Sequence, residues 1–261
     1  MSGDGLDDLF ESLVPGAGRG GARPAEAPAV PRDLMLEGAR LLGSGRTGWV
    51  YQATDPVLQR AVAVKIARPD RGAEAREELL REAQRTARLA HPAVLAIHRV
   101  VAADGLLCVV RQLAPTRTLA DQLHLWQRSP ASAPDPTDRL ATLVIVADAL
   151  AHAHRLGEVH GDLHPGQIAV DRDGHPAVLD WGGLGDERGV FSGAPEVAAP
   201  EQLAGEGASA AGDVFALAAV TAETLTGRPL RPPRPRDAIG PWLAQIRTEP
   251  VRPGLDGLDP A

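Results

Sequence analysis

The feature that most restricts the fold is the run Gly43-Ser44-Gly45-Arg46-Thr47-Gly48, taken together with what flanks it. Glycines at this spacing let backbone N–H groups approach anionic oxygens with no Cβ in the way. Alone, the run fits a plain Gly-rich hairpin at least as well. In a dinucleotide-binding unit it would leave a strand and open a helix, whereas here it joins two segments, 36–42 and 48–53, that both read as strands. Such a loop belongs to an antiparallel hairpin.

A third strand is expected over 61–67, and it carries Val62-Ala63-Val64-Lys65. A lysine inside so apolar a run needs an anionic partner to be tolerated. The next segment, 72–89, is rich in Ala, Glu, Arg and Leu, with Leu79, Ala83 and Ala87 recurring at i+4, and reads as a helix closed off by Pro92. Two more strands are expected at 95–101 and 106–112 around the turn Ala103-Asp104-Gly105. Beyond them the pattern turns helical, at 119–126, at 137–156 with Thr137 or Asp138 as N-cap and Gly157 as C-cap, and at 213–225. A hairpin over 168–179 turns at Asp173-Gly174, and Pro-rich sequence follows Gly227. Five strands with one helix, followed by mostly helices, describe an α+β protein of two lobes.

Residues 15–32 are dominated by Pro, Gly, Ala and Arg and read as a flexible tether, so the sequence divides into a tail, 1–32, and a domain, 33–261. Within the tail, Leu6, Leu9, Phe10 and Leu13 follow helical spacing. Residues 6–14 are either a partner-docking peptide or a transient helix. The net charge of -7, from 27 basic and 34 acidic residues with no basic block, argues against a nucleic-acid partner. One cysteine, Cys108, excludes a disulfide within the chain and suits a reducing cytosol. Apolar stretches fall short of the roughly 20 residues that cross a bilayer, and the acidic start does not resemble a signal peptide. The cytoplasm is the expected location.

The ordered set of motifs resembles the eukaryotic-like Ser/Thr protein kinases of bacteria. After the Gly-rich loop and the V-A-V-K strand come Arg81-Glu82-Ala83-Gln84 and His91-Pro92. His160-Gly161-Asp162-Leu163-His164-Pro165 then resembles the family's catalytic loop, Asp180-Trp181-Gly182 its metal-binding D-F-G, and Ala199-Pro200-Glu201 its A-P-E segment, with Asp213 matching a buried aspartate that anchors the catalytic loop. The resemblance covers roughly residues 35 to 230. It implies a small antiparallel N-lobe sheet with one long helix, about 33–113, and a mainly helical C-lobe, about 114–261, lacking the last helices.

It also implies ATP and Mg²⁺, with Mn²⁺ as a substitute, and a protein substrate or signalling partner. Gly43, Ser44, Gly45, Gly48, Val50, Ala63, Gln112 and Ala114 are then the nucleotide contacts. Lys65, paired with Glu82, holds the phosphates, Asp162 orients the attacking hydroxyl, His164 joins the catalytic group, and Asp180 with Gln167 holds the metal.

Several residues depart from the family's pattern. Gln167 replaces a metal-binding Asn, His164 replaces a Lys that serves the γ-phosphate, and Gly161 replaces an Arg that reads a phosphorylated loop. Ala194 stands in place of a Thr that contacts the catalytic Asp. Arg111 falls where an apolar residue borders the adenine, and it either turns to a carboxylate or fills part of the pocket. Glu201 lacks its usual Arg, leaving it solvated or paired with Arg228, Arg231 or another chain. Two alternatives to phosphotransfer to protein follow: a pseudokinase acting as a binding module, and a small-molecule phosphotransferase of the same fold, against which the A-P-E segment and Asp213 argue.

Overall fold

The structure is a computed structural model that describes residues 27–45, 48–182, 193–231 and 239–248. Five antiparallel strands form one sheet in the order β1-β2-β3-β5-β4: β1 Glu37–Ser44, β2 Gly48–Asp55, β3 Arg60–Ala67, β4 Ile97–Ala103 and β5 Leu106–Gln112. The helix α1, Gly72–Arg88, crosses between β3 and β4. The rest is helical apart from one small hairpin, β6 Ile168–Val170 with β7 Pro176–Val178. Its helices are α2 Leu119–Arg128, α3 Pro136–Arg155, α4 Pro200–Leu203, α5 Ala210–Thr226 and α6 Ile239–Thr248.

The expected strands and long helices occur with ends shifted by a few residues at most. The α3 N-cap is Asp135, whose carboxylate accepts from the Thr137 N–H, with Pro136 at the first helical position. Thr137 and Asp138 therefore lie inside the helix.

Alternation along the central strands decides what each face can do. Val62, Val64 and Ile66 of β3 point to one face, where they pack with Trp49, Tyr51, Cys108 and Val110. Ala67 and Val109 pack on the other face against Leu79 and Ala83 of α1. Both faces are thus covered, which is why β3 and β5 read as continuous apolar runs. Burial among these residues pushes the Cys108 thiol up to about 11, with Asp104 adding to the effect, so the group stays a neutral core residue.

The cover on the outer face comes partly from the segment expected to be tether. Ala27, Val30 and Leu36 pack against the cluster around a fully buried Leu34, the Tyr51 hydroxyl donates to the Pro28 carbonyl, and Arg99 donates to the Leu34 carbonyl. Ala27 and Val30 accordingly take part in covering this face of the sheet. Residues 6–14 lie outside the described residues.

In the helical lobe, one cluster joins α2, α3 and α5 to the β6/β7 hairpin through Leu119, Leu143, Val146, Leu150, Ile168, Val178 and Val220, with Trp181 buried among them. The sequence after Gly227 reads only as Pro-rich, yet it carries one more helix. There α6 forms, and Trp242 and Ile246 pack on Ala198 and Leu203 beside α4. Among the described residues no helix is long and apolar enough to cross a membrane.

Two glycines of the loop between β1 and β2 have opposite surroundings. A Cβ on Gly48 would lie 2.3 Å from the Ile66 carbonyl oxygen of β3, while one on Gly45 would meet nothing closer than the Gly48 oxygen at 4.0 Å. Gly48 is therefore required by strand packing. We expect Gly48→Ala to lose about 1–3 kcal/mol, an overpacking cost, and Gly45→Ala to stay within about 0.5 kcal/mol of the parent in urea unfolding.

Candidate active site

On α1 the buried residues are Ala75, Leu79, Glu82, Ala83 and Thr86, a single helical stripe toward the sheet. The stripe carries Glu82 inward and leaves its acidic neighbours outside: Glu77 pairs with Arg81 at the surface and Glu78 with Arg71. On β3, Lys65 has the same parity as Ala67 and so faces this helix. Its Nζ lies 2.8 and 2.7 Å from the two Glu82 oxygens, with both side chains buried. Nothing in the helix pattern alone separates Glu82 from Glu78; the ion pair does.

A second strand, β5, contributes a second cation. Leu107 and Val109 of β5 face α1, so Arg111 faces it too, and β3 pairs Ala63 with Arg111 and Lys65 with Val109. Arg111 is buried, and its Nη1 lies 3.4 Å from Asp180 Oδ1 and 3.9 Å from Glu82 Oε1. Of the two orientations open to Arg111, the structure takes the one toward carboxylates. Lys65 Nζ is 3.5 Å from the same Asp180 oxygen. Two cations and two carboxylates therefore balance.

Burial alone raises the Asp180 carboxyl, but Lys65 and then Arg111 outweigh it and hold the group well below the usual carboxylate range. For Lys65, burial favours the neutral amine, yet Asp180 and Glu82 outweigh it and the pKa is raised. Both stay charged near neutrality.

Asp180 itself sits in the left-handed region, with φ of 48°, a backbone conformation that costs a non-glycine residue energy unless its surroundings impose it. They do. Gly182 N–H donates to the Asp180 carbonyl, Arg85 of α1 donates to the Gly182 carbonyl at 2.7 Å, and Trp181 Nε1 donates to the Val178 carbonyl.

The catalytic-loop residues are organised by Asp213, which is 1% exposed. Its Oδ2 accepts from the His160 N–H and lies 2.8 Å from His154 Nε2, and its Oδ1 accepts from the Gly161 N–H. Gly161 has φ of 78°, so a side chain there would be strained. His160 Nδ1 accepts from the Asp162 N–H while Nε2 lies 2.8 Å from the Leu179 carbonyl, which ties this loop to the segment before Asp180. Asp162 Oδ1 accepts from the Ala194 N–H at 2.8 Å, so a backbone donor serves where the related pattern uses a hydroxyl.

His164 is buried, and its Nδ1 accepts from the Gly166 N–H. The proton must then sit on Nε2, which is buried with no partner among the described residues. Desolvation first, then the nearby His160, lowers its pKa to about 4, so His164 is neutral and cannot reproduce a lysine's charge.

The nucleotide contacts named from the sequence come from β1, β2, β3 and the end of β5. Val50 pairs with Lys65 across β2 and β3, Ala63 is buried beside Arg111, and Gly43 and Ser44 end β1, with the Gly45 N–H donating to the Gly48 carbonyl. Gln112 is exposed, and Ala96 engages both its amide oxygen and its backbone N–H. Ala114 packs beside Leu95, Ala169 and Leu179, and its N–H has no partner among the described residues. Arg46, Thr47 and the segment 183–192 lie outside the described residues.

A hard cation prefers the donors offered here, a carboxylate and an amide oxygen. The Asp180 side chain is one-third exposed, its Oδ2 has no partner among the described residues, and the Gln167 side chain likewise makes no hydrogen bond among them. The donor set fits, although Asp180 Oδ1 is already shared between two cations. Glu201 is half-buried with no ion pair among the described residues, and Arg231 instead donates to the Pro195 and Ala198 carbonyls and lies over Phe215.

The model of the protein kinase domain family matches residues 36–241. Among curated relatives, the Ser/Thr-protein kinase PknK of Mycobacterium tuberculosis is 31% identical over 235 residues, covering 86% of this chain and 21% of that protein. The DNA damage-responsive Ser/Thr-protein kinase RqkA of Deinococcus radiodurans is 34% identical over 247 residues, covering 90% of this chain and 36% of that protein. The chain thus spans between a fifth and about a third of these relatives' length. The crystal structure of the PknI kinase domain of Mycobacterium tuberculosis, a double mutant, superposes with a TM-score of 0.61 at 25% identity, covering 87% of this chain and 83% of that one.

The neutral state of His164 has a consequence for stability. Its folded pKa of about 4 lies below the ordinary 6.5, so between those values the unfolded chain binds more protons. Stability is complete above that window and is lost as pH falls through it, by on the order of 3 kcal/mol in all. His160, also lowered, adds in the same direction, while Asp180 loses its contribution only at lower pH. Melting temperature measured from pH 7 to pH 4.5 should fall less steeply in His164→Gln than in the parent.

Proposed function

The chain belongs to the protein kinase domain family, and from that membership we propose that its cleft binds ATP with Mg²⁺ and transfers the γ-phosphoryl group to a Ser or Thr hydroxyl of a protein. The single observation that carries this reading is the buried Lys65 and Glu82 pair placed beside Asp180, with Asp162 held at the mouth of the catalytic loop. Lys65 supplies a fixed positive charge for the α- and β-phosphates. The Ala114 N–H and the Gln112 carbonyl suit the adenine edge, and Val50 and Ala63 its faces. Gly43, Ser44, Gly45 and Gly48 shape the roof.

Asp162 orients the hydroxyl for in-line attack and accepts its proton. Its contact with the Ala194 N–H fixes one carboxylate oxygen and with it the rotation of the group. His164, neutral and buried, supplies no charge to the transferred group. When bound, Mg²⁺ supplies charge neutralisation on the phosphates, and Asp180 Oδ2 with the Gln167 amide would hold it. The glutamine side chain is one methylene longer than asparagine, so it reaches such a site at the cost of an ideal octahedral fit.

One observation favours a second reading, a nucleotide-binding module without transfer: Asp180 Oδ1 is engaged by Arg111 and Lys65. Labelled ATP with a generic protein substrate separates the two. Incorporation in the parent that falls by about a hundredfold or more in Asp162→Asn supports phosphotransfer. Gln167→Asn should raise the rate by up to about tenfold, and most at low Mg²⁺, because the better-placed ligand stabilises charge in the transition state. No product from either the parent or Gln167→Asn, with Mg²⁺ or Mn²⁺, at concentrations that bind ATP would give the binding module first place.

A further inference from the structure

Arg111 is a buried cation that the proposed transfer does not use. Alternation along β5 puts it on the cleft side, where one Nη reaches Asp180 Oδ1 at 3.4 Å and lies 3.9 Å from Glu82. Its Nε is buried with no hydrogen-bond partner among the described residues. The guanidinium therefore has one arm committed to the carboxylate that a divalent ion would use and a spare donor nearby. An unsatisfied buried donor costs free energy, which the contact of Nη1 with the Asp180 carboxylate helps to offset.

The charge count sharpens the point. With Lys65, Arg111, Glu82 and Asp180 the cluster is neutral before any ligand enters; without Arg111 it would carry a net negative charge, and an anionic ligand would need a counter-ion to approach. We propose that Arg111 is the resident counter-charge of Asp180, so that this cleft binds nucleoside triphosphate without a divalent cation, and a metal at the remaining Asp180 oxygen binds against the charge of the guanidinium on Oδ1. Arg111 thereby sets the metal requirement of the site. This rests on the nucleotide cleft proposed above.

Calorimetric titration of ATP into the full chain, in EDTA and in Mg²⁺, tests it beside Arg111→Met, with Arg111→Gln as a second variant that keeps a polar side chain should the first fail to fold. The parent should bind ATP in EDTA within about threefold of its affinity in Mg²⁺, whereas either variant should lose about tenfold or more in EDTA and recover it with Mg²⁺. A parent that itself needs Mg²⁺ by about tenfold, or variants with the parent's ratio, overturns the inference.

A second arm needs no nucleotide. Mn²⁺ alone, followed by water-proton relaxation, should bind the Arg111 variants about tenfold more tightly than the parent, and the gain should vanish in the double variant with Asp180→Asn. If no protein binds ATP in either buffer, the nucleotide reading fails while the Mn²⁺ arm still decides whether Arg111 guards Asp180. Equal Mn²⁺ affinity in parent and variants rejects that role.

Discussion

The structure depends on the ion pair between Lys65 and Glu82. Each charge comes from an element that has no other use for it: a lysine in a strand apolar on both faces, and a glutamate on the buried stripe of a helix. Removing either one leaves the other with only a longer contact, Lys65 to Asp180 or Glu82 to Arg111, and the buried cluster with a net charge; breaking a buried pair in this way typically costs about 3–5 kcal/mol. Together they fix the rotation of α1 about its own axis and its distance from β3. That placement also brings Arg85 of the same helix to the Gly182 carbonyl, so the segment carrying Asp180 is held from the N-lobe side. The left-handed backbone at Asp180 is imposed by this neighbourhood, and a misplaced α1 would release it.

A second carboxylate, Asp213, plays the corresponding part in the helical lobe. It is buried because its oxygens receive backbone N–H groups of His160 and Gly161 and lie against His154, and so it sets the curvature of the loop that presents Asp162. Around it, backbone groups serve where side chains differ from the related pattern. The Ala194 N–H reaches Asp162, and Arg231 gathers the carbonyls of the segment before α4. Hydrogen-bond geometry survives substitution better than charge does, because the backbone offers donors everywhere but carries no net charge.

Much of this is legible in the sequence where a pattern repeats. Strand alternation, the helix stripe through Leu79 and Ala83, and the order of motifs point to the sheet, to α1 and to the cluster of Lys65, Glu82 and Asp180. What the sequence hides, it hides for physical reasons. Segment 27–32 has the composition of a tether because its apolar residues are sparse and set among prolines, yet the sheet has an outer face to cover, and Ala27 and Val30 beside Leu34 suffice. The helix α6 escapes a pattern reading because Gly240 and Pro241 stand in its first turn, where they are tolerated, and its stability comes from two side chains, Trp242 and Ile246, packed beside α4. For Arg111 the position is legible and the orientation is not. The parity of Leu107 and Val109 already puts it on the face of Lys65; choosing between Asp180 and the pocket needs the tertiary partner.

The departures from the related pattern concern charge more than position. His164 puts a neutral imidazole where a lysine would be charged, whereas Arg111 adds a cation on the other side of the Asp180 carboxylate. Positive charge has in effect moved from the catalytic loop to the sheet, and from a flexible ammonium to a guanidinium held by packing. A buried, pre-placed charge interacts more strongly with phosphate than an exposed one, and it needs no ion from solution. It also cannot follow the group that moves during transfer, whereas a metal ion bridging phosphate oxygens and a lysine beside the γ-phosphate both act at the moving charge. On the proposed function, the same redistribution would strengthen the hold on the α- and β-phosphates and weaken stabilisation of the transferred one, so that binding and chemistry would be governed by different residues.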